Sequence, residues 1–308
     1  MPSSSIRLIH EPTCLPMMVS PPLVGIRGSQ MENALVDHAR IGVVPYLNTL
    51  PLINGLDRLE GIDLQRRVPS QLIGLLQGGD VDVALCSSID YQRSSHPVDI
   101  LPVGMLGCGG ETLTVRLFSR IPLDRVRTVA CDTDSHTSVA LLSIIFDRTW
   151  NQRIEVVPFD HATAGRIGAD GPEAILLIGD KVMSNTLDQA VYEHQLDLGT
   201  AWAESTGMPF VFATWLCRRD VDEDVERRIR RAAMVLDRQR RHNDQRLERI
   251  AFQHSGDNGW DFEQANRYLG TLLEFDLGDA HVESLDFFYK EAFRIGLIEE
   301  VRPVRFHS

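Results

Sequence analysis

From Arg40 onward, short apolar runs alternate with helix-like stretches, and this alternation constrains the fold more than any other feature of the sequence. Strands that alternate with helices are typical of α/β proteins with mostly parallel sheets. The C-terminal third differs, because its apolar residues recur almost throughout at helical spacing. Strands are predicted at 41–44, 62–68, 81–85, 112–118, 128–131, 154–157, 174–178 and 209–215, and C-terminal helices at 222–252, 261–275 and 281–297.

The segment after the second predicted strand carries signals for both ends of a helix. Pro69 and Ser70 predict its start, with Ser70 as the capping residue. The pair Gly78 and Gly79 predicts its end, because glycine readily adopts the left-handed conformation that closes a helix.

Composition bounds the class of protein and its partners. The chain has 308 residues, 43% of them hydrophobic and 24% charged, as in an ordinary globular protein of one or two domains. Its formal net charge of −12 argues against nucleic acid or an anionic membrane as the main partner. The longest apolar runs, such as 174–178, are far shorter than the roughly 20 residues that span a bilayer. We therefore predict neither a nucleic-acid nor a membrane partner.

Cysteine usage and missing motifs bear on compartment and cofactors. The cysteines are scattered and include no C-x-x-C pair, which predicts reduced, mostly buried thiols in a cytoplasmic protein. No cysteine or histidine cluster has the spacing of a zinc site, so no metal is predicted. Neither G-x-G-x-x-G nor G-x-x-x-x-G-K-[ST] occurs, so no nucleotide cofactor is predicted. The cysteines are Cys14, Cys86, Cys108, Cys131 and Cys217.

Residues 1–38 are unlike the rest of the chain and lack a steady apolar period. Pro16, Pro21 and Pro22 interrupt the only apolar part, which a secretory signal peptide would keep continuous. We expect a disordered extension, with translation from Met31 as an alternative interpretation.

Polar residues at strand ends are the first candidates for a ligand site, because ligands of open α/β sheets bind outside the carboxyl ends of the strands. Asn48 lies in a proline-flanked loop after the first strand, and its amide offers a neutral donor and acceptor. The alternative for Asn48 is an Asx turn within its own loop. Ser87 and Ser88 follow the third strand, where they would contact a ligand or cap a short helix.

Two further strand ends carry candidates. Hydroxyl groups and free N–H groups of a helix start predict a carboxylate site within 135–138, although a plain helix cap uses the same residues. We do not interpret the neighbouring Asp, Ser and His as a hydrolase triad, because no G-x-S-x-G elbow is present. Gly179 permits close approach of the backbone to a ligand, and Asp180 is predicted mainly as a cap. The helix-start candidates are Ser135, His136, Thr137 and Ser138.

Together these segments resemble a known family. The ordered motifs are IGVVPYLNTLPL, PSQLIGLLQGGDVDVALCSSIDY, LFSRIPL, DTDSHTSVALL, ILLIGD and DLGTAWAESTGMPFVFATW, followed more weakly by YLGTLLEFDLGDAHVESLDFFYKEAFRIGL. This pattern resembles the chorismate dehydratases of the futalosine pathway of menaquinone biosynthesis, and it covers most of the chain.

The resemblance implies a type II periplasmic-binding-protein-like fold of the α/β class, with two lobes, a central cleft and C-terminal helices. It implies that 39–117 together with 216–308 form the first lobe and that 118–215 form the second. The connecting strands are expected near 116–122 and 210–215.

The resemblance also implies the reaction. The substrate would be the dicarboxylate chorismate, which loses water to give 3-[(1-carboxyvinyl)oxy]benzoate without metal or organic cofactor. Asn48 corresponds to the asparagine that the family ties to catalysis, and Thr114 takes the place of a family serine. His136 stands where relatives usually have arginine, which would weaken a carboxylate contact at neutral pH. Segment 107–111, before the first connecting strand, contains Gly107, Gly109 and Gly110 but lacks the Gly-Pro pair that relatives commonly have there.

Two other functions share this fold. A non-catalytic solute-binding receptor would need export, and no signal sequence is visible. A 1,4-dihydroxy-6-naphthoate synthase would lack the Y-L-N loop that is present here. The sequence makes no prediction of the oligomeric state.

Overall fold

Eleven strands in two sheets carry the described part of the chain. The computed structural model describes residues 38–160, 168, 170–184, 187–256 and 259–308. The prediction for the N-terminal extension, with its Met31 alternative, therefore lies outside the described residues except for His38. The strands are β1 (Ala39–Val43), β2 (Ile62–Arg66), β3 (Val83–Ser87), β4 (Val98–Cys108), β5 (Val115–Ser119), β6 (Thr128–Cys131), β7 (Glu155–Pro158), β8 (Ala174–Ile178), β9 (His194–Asp197), β10 (Phe210–Arg218) and β11 (Leu273–Glu274).

Helices connect and cover these strands. They are α1 (Leu50–Ile53), α2 (Pro69–Gly78), α3 (Asp90–Arg93), α4 (His136–Trp150), α5 (Leu198–Thr206), α6 (Glu223–Asp244), α7 (Leu247–His254), α8 (Phe262–Arg267) and α9 (Asp279–Arg294). No helix in the described ranges is both long enough and apolar enough to cross a membrane.

Both sheets mix parallel and antiparallel pairs. The first has the order β11-β4-β10-β3-β1-β2 and the second β7-β6-β8-β5-β9. Strand β10 lies antiparallel between β3 and β4, and β5 lies antiparallel between β8 and β9. The prediction of mostly parallel sheets is therefore wrong, because apolar periodicity locates a strand and is silent on its direction. The two-sheet α/β fold with C-terminal helices is the predicted fold class.

The chain passes from the first sheet to the second between β4 and β5, and returns between β9 and β10. The predicted crossing segments overlap β5 and β10, each of which pairs within one sheet. Helices α6 and α9 pack on strands of the first sheet. The division into lobes stays a prediction, and Asp37–Ser308 forms one compact unit.

Three strands were not predicted: β11 lies in a segment that was predicted as helix, and β4 and β9 were missed for two other reasons. Pro102 and Gly104 interrupt β4, and both residues normally count against a strand. Gly104 lies at φ +138 beside an irregularity in the pairing of β4 with β10, which is the setting of a bulge. Strand β9 has the sequence HQLD and so has no apolar run to reveal it.

Helix ends follow the sequence only in part. Gly79 ends α2 at φ +76, as predicted. Ser70 does not cap α2, because Pro69 occupies the first turn and extended Val68 is the capping residue. The N–H of Ser70 instead donates to the carbonyl oxygen of Asp134 at 2.9 Å.

The C-terminal helices are more broken than predicted. Segment 222–252 forms the two helices α6 and α7, and segment 281–297 forms α9 with slightly different ends. Segment 261–275 is helical only through α8, after which a π-helical turn, Tyr268–Leu272, leads into β11.

The thiols of the described cysteines are free and buried, as predicted. Burial raises the pKa of Cys108, Cys131 and Cys217 to about 12 each, so these thiols stay protonated. Cys14 lies outside the described residues.

Strand β8 is buried on both faces and ends at the site. Ala174, Leu176 and Ile178 pack in the large core cluster, whereas Ile175 and Leu177 belong to a smaller cluster on the opposite face. Burial on both faces fixes the strand, so the residues after it are held in place.

Candidate active site between the two sheets

A cavity of about 610 Å³, a volume that includes open solvent at its mouth, lies between the two sheets. Its walls come from the ends of strands in both sheets and from the turn after α8. The lining residues are Val44, Tyr46, Asn48, Thr49, Pro69, Leu85, Ser87, Leu106, Thr112, Thr114, Val115, Ser135, Ser138, Ile178, Gly179, Phe212, Ala213, Tyr268 and Leu273. Six of the ten predicted site residues are among them.

Asn48 is held at this cavity by its own loop. The loop forms a 3-10 turn, Leu47–Thr49, after β1, and the Thr49 hydroxyl donates to the carbonyl oxygen of Val44 at 2.6 Å. The Asn48 Oδ1 atom is buried and has no hydrogen-bond partner among the described residues. An Asx turn would satisfy that oxygen, so the Asx-turn alternative is wrong, and the role of Asn48 in ligand binding stays a prediction.

Thr114 is positioned by the loop that leads into β5. The Asp197 carboxylate accepts hydrogen bonds from the N–H groups of Thr112 and Leu113. Leu113 has a φ of +59, a strained value for a branched residue, and these bonds hold it there. The Thr112 hydroxyl accepts from the N–H of Val115 at 2.9 Å. The loop is thus fixed on both sides of Thr114.

A tyrosine hydroxyl lies against Thr114 and was not predicted. The Thr114 Oγ1 and Tyr268 Oη atoms are 2.5 Å apart, and both side chains are buried. The Tyr268 ring stacks on Trp260, with centroids 4.8 Å apart and planes 11° apart. Burial raises the pKa of Tyr268, while hydrogen bonds with Thr114 and Asn48 act in the opposite direction. The π-helical turn that presents Tyr268 has no sequence signal.

The α4 start divides its predicted residues between two roles. Ser135 caps the helix, since its Oγ accepts from the N–H of Ser138 at 3.3 Å, and the Ser138 hydroxyl donates to the same Oγ at 3.0 Å. Both serines line the cavity. Thr137 is fully buried, and its Oγ1 accepts from the N–H of Ile89 at 3.1 Å.

His136 and Ser88 point to other partners. The Nδ1 atom of His136 lies 2.7 Å from Oδ1 of Asp90, and the Asp90 hydrogen bond raises the pKa of the histidine despite partial burial. The Ser88 hydroxyl donates to the carbonyl oxygen of Val211 at 2.7 Å. Neither residue lines the cavity, whereas Ser87 does. No serine side chain caps α3, so that alternative is wrong.

Gly179 and Asp180 hold the Asn48 loop from the side of the second sheet. Gly179 has a φ of +62, and a Cβ there would lie 3.3 Å from the Tyr46 ring, so glycine permits this approach. The Asp180 carboxylate accepts from the N–H of Leu47 at 3.4 Å and from Nε1 of Trp260 at 2.9 Å. The prediction of Asp180 as a helix cap is wrong, because its side chain does not cap the following 3-10 turn. Burial raises its pKa.

The lining carries no charged side chain among the described residues. Lys181 lies nearby, but its Nζ contacts Asp132 at 2.6 Å and Asp134 at 2.5 Å. Within the described ranges no group of three His, Cys, Asp or Glu side chains is placed to hold a metal. An anion in this cavity would therefore be bound by neutral hydroxyl, amide and backbone donors.

Comparisons with known proteins agree on fold and family. A family model described as menaquinone biosynthesis matches residues 39–294. The chorismate dehydratase of Thermus thermophilus is 31% identical over 195 residues, which are 58% of this chain and 70% of that protein.

Solved structures support the fold. A protein of Archaeoglobus fulgidus superposes with a TM-score of 0.62 at 18% identity, covering 85% of this chain and 99% of that one. The alkanesulfonate-binding protein of Xanthomonas axonopodis pv. citri, bound to MOPS, gives 0.61 at 13% identity and covers 87% and 96%. The predicted periplasmic-binding-protein-like fold is confirmed.

Proposed function

From the premise that this chain belongs to the menaquinone-biosynthesis family, we propose that it is a chorismate dehydratase, a hydro-lyase that forms 3-[(1-carboxyvinyl)oxy]benzoate and water. The observation that carries the proposal is the unpaired Oδ1 of Asn48 beside the Thr114–Tyr268 hydroxyl pair. An unsatisfied buried polar atom in a native fold is expected where a ligand supplies the partner.

The reaction requires little of the protein beyond holding the substrate in position and excluding water. The C3–H bond and the C4–O bond of chorismate break, and the ring becomes aromatic, which supplies the driving force. The protein then has to hold one conformer of the substrate and keep competing water out. The mainly apolar cavity wall suits that task.

Asn48 is the residue we assign to the reacting end. Its amide N–H donates to the enolpyruvyl carboxylate, which takes the C3 proton, and its unpaired Oδ1 accepts a hydrogen bond from the C4 hydroxyl group. A neutral amide is suited to this role, because an aspartate there would repel a dianionic substrate. Thr114 completes the same wall of the cavity with a hydroxyl group.

The second carboxylate is assigned to the α4 start. Ser135 and Ser138 present hydroxyl groups there, and the first N–H groups of a 15-residue helix favour an anion. His136 is paired with Asp90 and Thr137 with the N–H of Ile89, so this contact is proposed for the two serines only. Ser87 and Gly179 would contact the ring.

Incubation of the purified protein with chorismate tests the function. Chromatography with absorbance detection should show loss of chorismate and appearance of the aromatic enol ether. Binding without turnover would indicate a solute-binding receptor. Chorismate left unbound and unchanged would favour a naphthoate synthase. Both results would overturn the proposal. The buried, protonated thiols agree with a cytoplasmic location, which is part of the proposal.

A further inference from the structure

The Tyr268 hydroxyl is the feature of the cavity that the proposed reaction has not yet used. Its side chain is 1% exposed, and it begins a π-helical turn, a distortion that is frequent at functional sites. The distortion places the tyrosine against β5 and the Asn48 loop, where it reaches Thr114.

Its neighbours place Tyr268 at a defined part of the substrate. If Asn48 holds the enolpyruvyl carboxylate near C3, the group next to Asn48 lies nearest to C4, which is bonded to C3. The Tyr268 hydroxyl forms hydrogen bonds with the side chains of Asn48 and Thr114. We propose that the Tyr268 hydroxyl is a catalytic residue that donates its proton to the C4 hydroxyl group of chorismate as that group leaves. This inference rests on the proposed function.

The proton balance closes without another reactant. The C3–H electron pair forms the new C3–C4 double bond, and the enolpyruvyl carboxylate holds the C3 proton. The C4–O bond breaks with its electron pair on oxygen, which takes the Tyr268 proton and leaves as water. The carboxylic acid then returns its proton to the tyrosinate, directly or through the Thr114 hydroxyl. Enzyme and product carboxylate end in their starting protonation states.

The environment of Tyr268 suits a donor. Burial raises the pKa of its hydroxyl, so it carries its proton at neutral pH. Hydroxide is the conjugate base of a far weaker acid, so transfer from the phenol to the departing oxygen remains downhill. The wall around it is apolar and contains no described charged side chain, which strengthens a single donated hydrogen bond.

Three other hydroxyl groups of the wall, those of Tyr46, Thr49 and Thr112, have partners of their own. The Tyr46 hydroxyl donates to the Asp134 carboxylate at 3.4 Å. The Thr112 hydroxyl accepts the N–H of Val115, and that of Thr49 donates to Val44. Tyr268 shares its bond with another hydroxyl, and either oxygen can be the donor, so a substrate oxygen can enter the chain without displacing a charge.

Tyr268→Phe tests the assignment, because it keeps the ring that stacks on Trp260 and removes only the oxygen. The matched control is Tyr192→Phe, since Tyr192 is fully buried, donates to the carbonyl oxygen of Pro172 and is not among the lining residues. Each variant is assayed for kcat with chorismate and for the Kd of the product, which lacks the C4 hydroxyl group.

We expect Tyr268→Phe to lower kcat by roughly 10²–10³-fold while the product Kd stays within about twofold. Tyr192→Phe should leave both values unchanged. A kcat within threefold of wild type, or a parallel loss of product affinity, would overturn the role of Tyr268 and leave the proposed function intact. An inactive wild-type protein would instead overturn the proposed function, and this inference with it.

Discussion

The imidazole of His136 lies 2.7 Å from the buried carboxylate of Asp90, and this contact joins the start of α4 to the short helix α3, which follows strand β3 of the first sheet. Within segment 131–138, residues 135–138 are predicted to bind a carboxylate, with a helix cap as the alternative. Much of it instead fastens the second sheet to the first, because Thr137 and Asp134 also bond across to Ile89 and Ser70.

The first prediction concerns pH and His136. The Asp90 hydrogen bond raises the pKa of His136 in the folded protein, so the contact contributes fully below pH 6.5 and is lost as the pH rises through the raised value. The stability advantage of wild type over His136→Gln should therefore shrink from acid to alkaline pH. Denaturation midpoints at several pH values, with exposed His38→Gln as the control, measure it. An advantage that grew with pH would contradict the charged pair.

The second prediction concerns Asn48. Asn48→Ala should fold normally, because Oδ1 makes no hydrogen bond in the free protein and the Tyr268 hydroxyl, which loses the Asn48 amide, keeps Thr114 as its partner. Loss of a contact made to the developing charge should lower kcat by roughly 10²–10³-fold. Asn48→Asp should lose turnover as well and also raise KM, because it adds a negative charge beside a dianion. Turnover of Asn48→Ala within threefold of wild type would remove the residue from the mechanism.

The third prediction separates binding from capping at the α4 start. Ser138→Ala should raise KM about tenfold with kcat little changed, since one hydrogen bond to a charged group contributes about 1.5 kcal/mol. Ser143→Ala, in the same helix, removes a hydroxyl that bonds only to the carbonyl oxygen of Val139 and should leave KM unchanged. A lower denaturation midpoint with unchanged KM would mean that Ser138 only supports the cap.

The fourth prediction concerns Asp180. Asp180→Ala leaves the N–H of Leu47 and Nε1 of Trp260 without their shared acceptor. The free energy of unfolding should fall by about 1–3 kcal/mol. The value of kcat should also fall, because Leu47 holds the Asn48 loop and Trp260 supports the Tyr268 ring. Urea titration and a steady-state assay measure the two effects, with exposed Asp124→Ala as the control. Unchanged kcat would show that Asp180 does not position the site.

Strand ends were the part of the site that the sequence could predict. Five residues predicted from strand ends line the cavity because buried strands such as β8 and β3 carry them there: Asn48, Ser87, Ser135, Ser138 and Gly179. Thr114, which the family resemblance implied, lines it as well. The position of Tyr268 could not be predicted, because it depends on a π-helical turn in a segment whose apolar spacing is that of a regular α-helix. Thr137 and Ser88 show the other limit, since a hydroxyl at a strand end has backbone groups within reach as well as a ligand.

The absence of described charged side chains from the lining has a kinetic consequence. The chain has a net charge of −12, so it repels an approaching dianion. Dissolved salt screens this repulsion and shortens its range. Hydrogen bonds from neutral donors are affected much less by those ions. Moderate ionic strength should therefore speed capture of the substrate, whereas a cationic binding cleft would be slowed by the same salt.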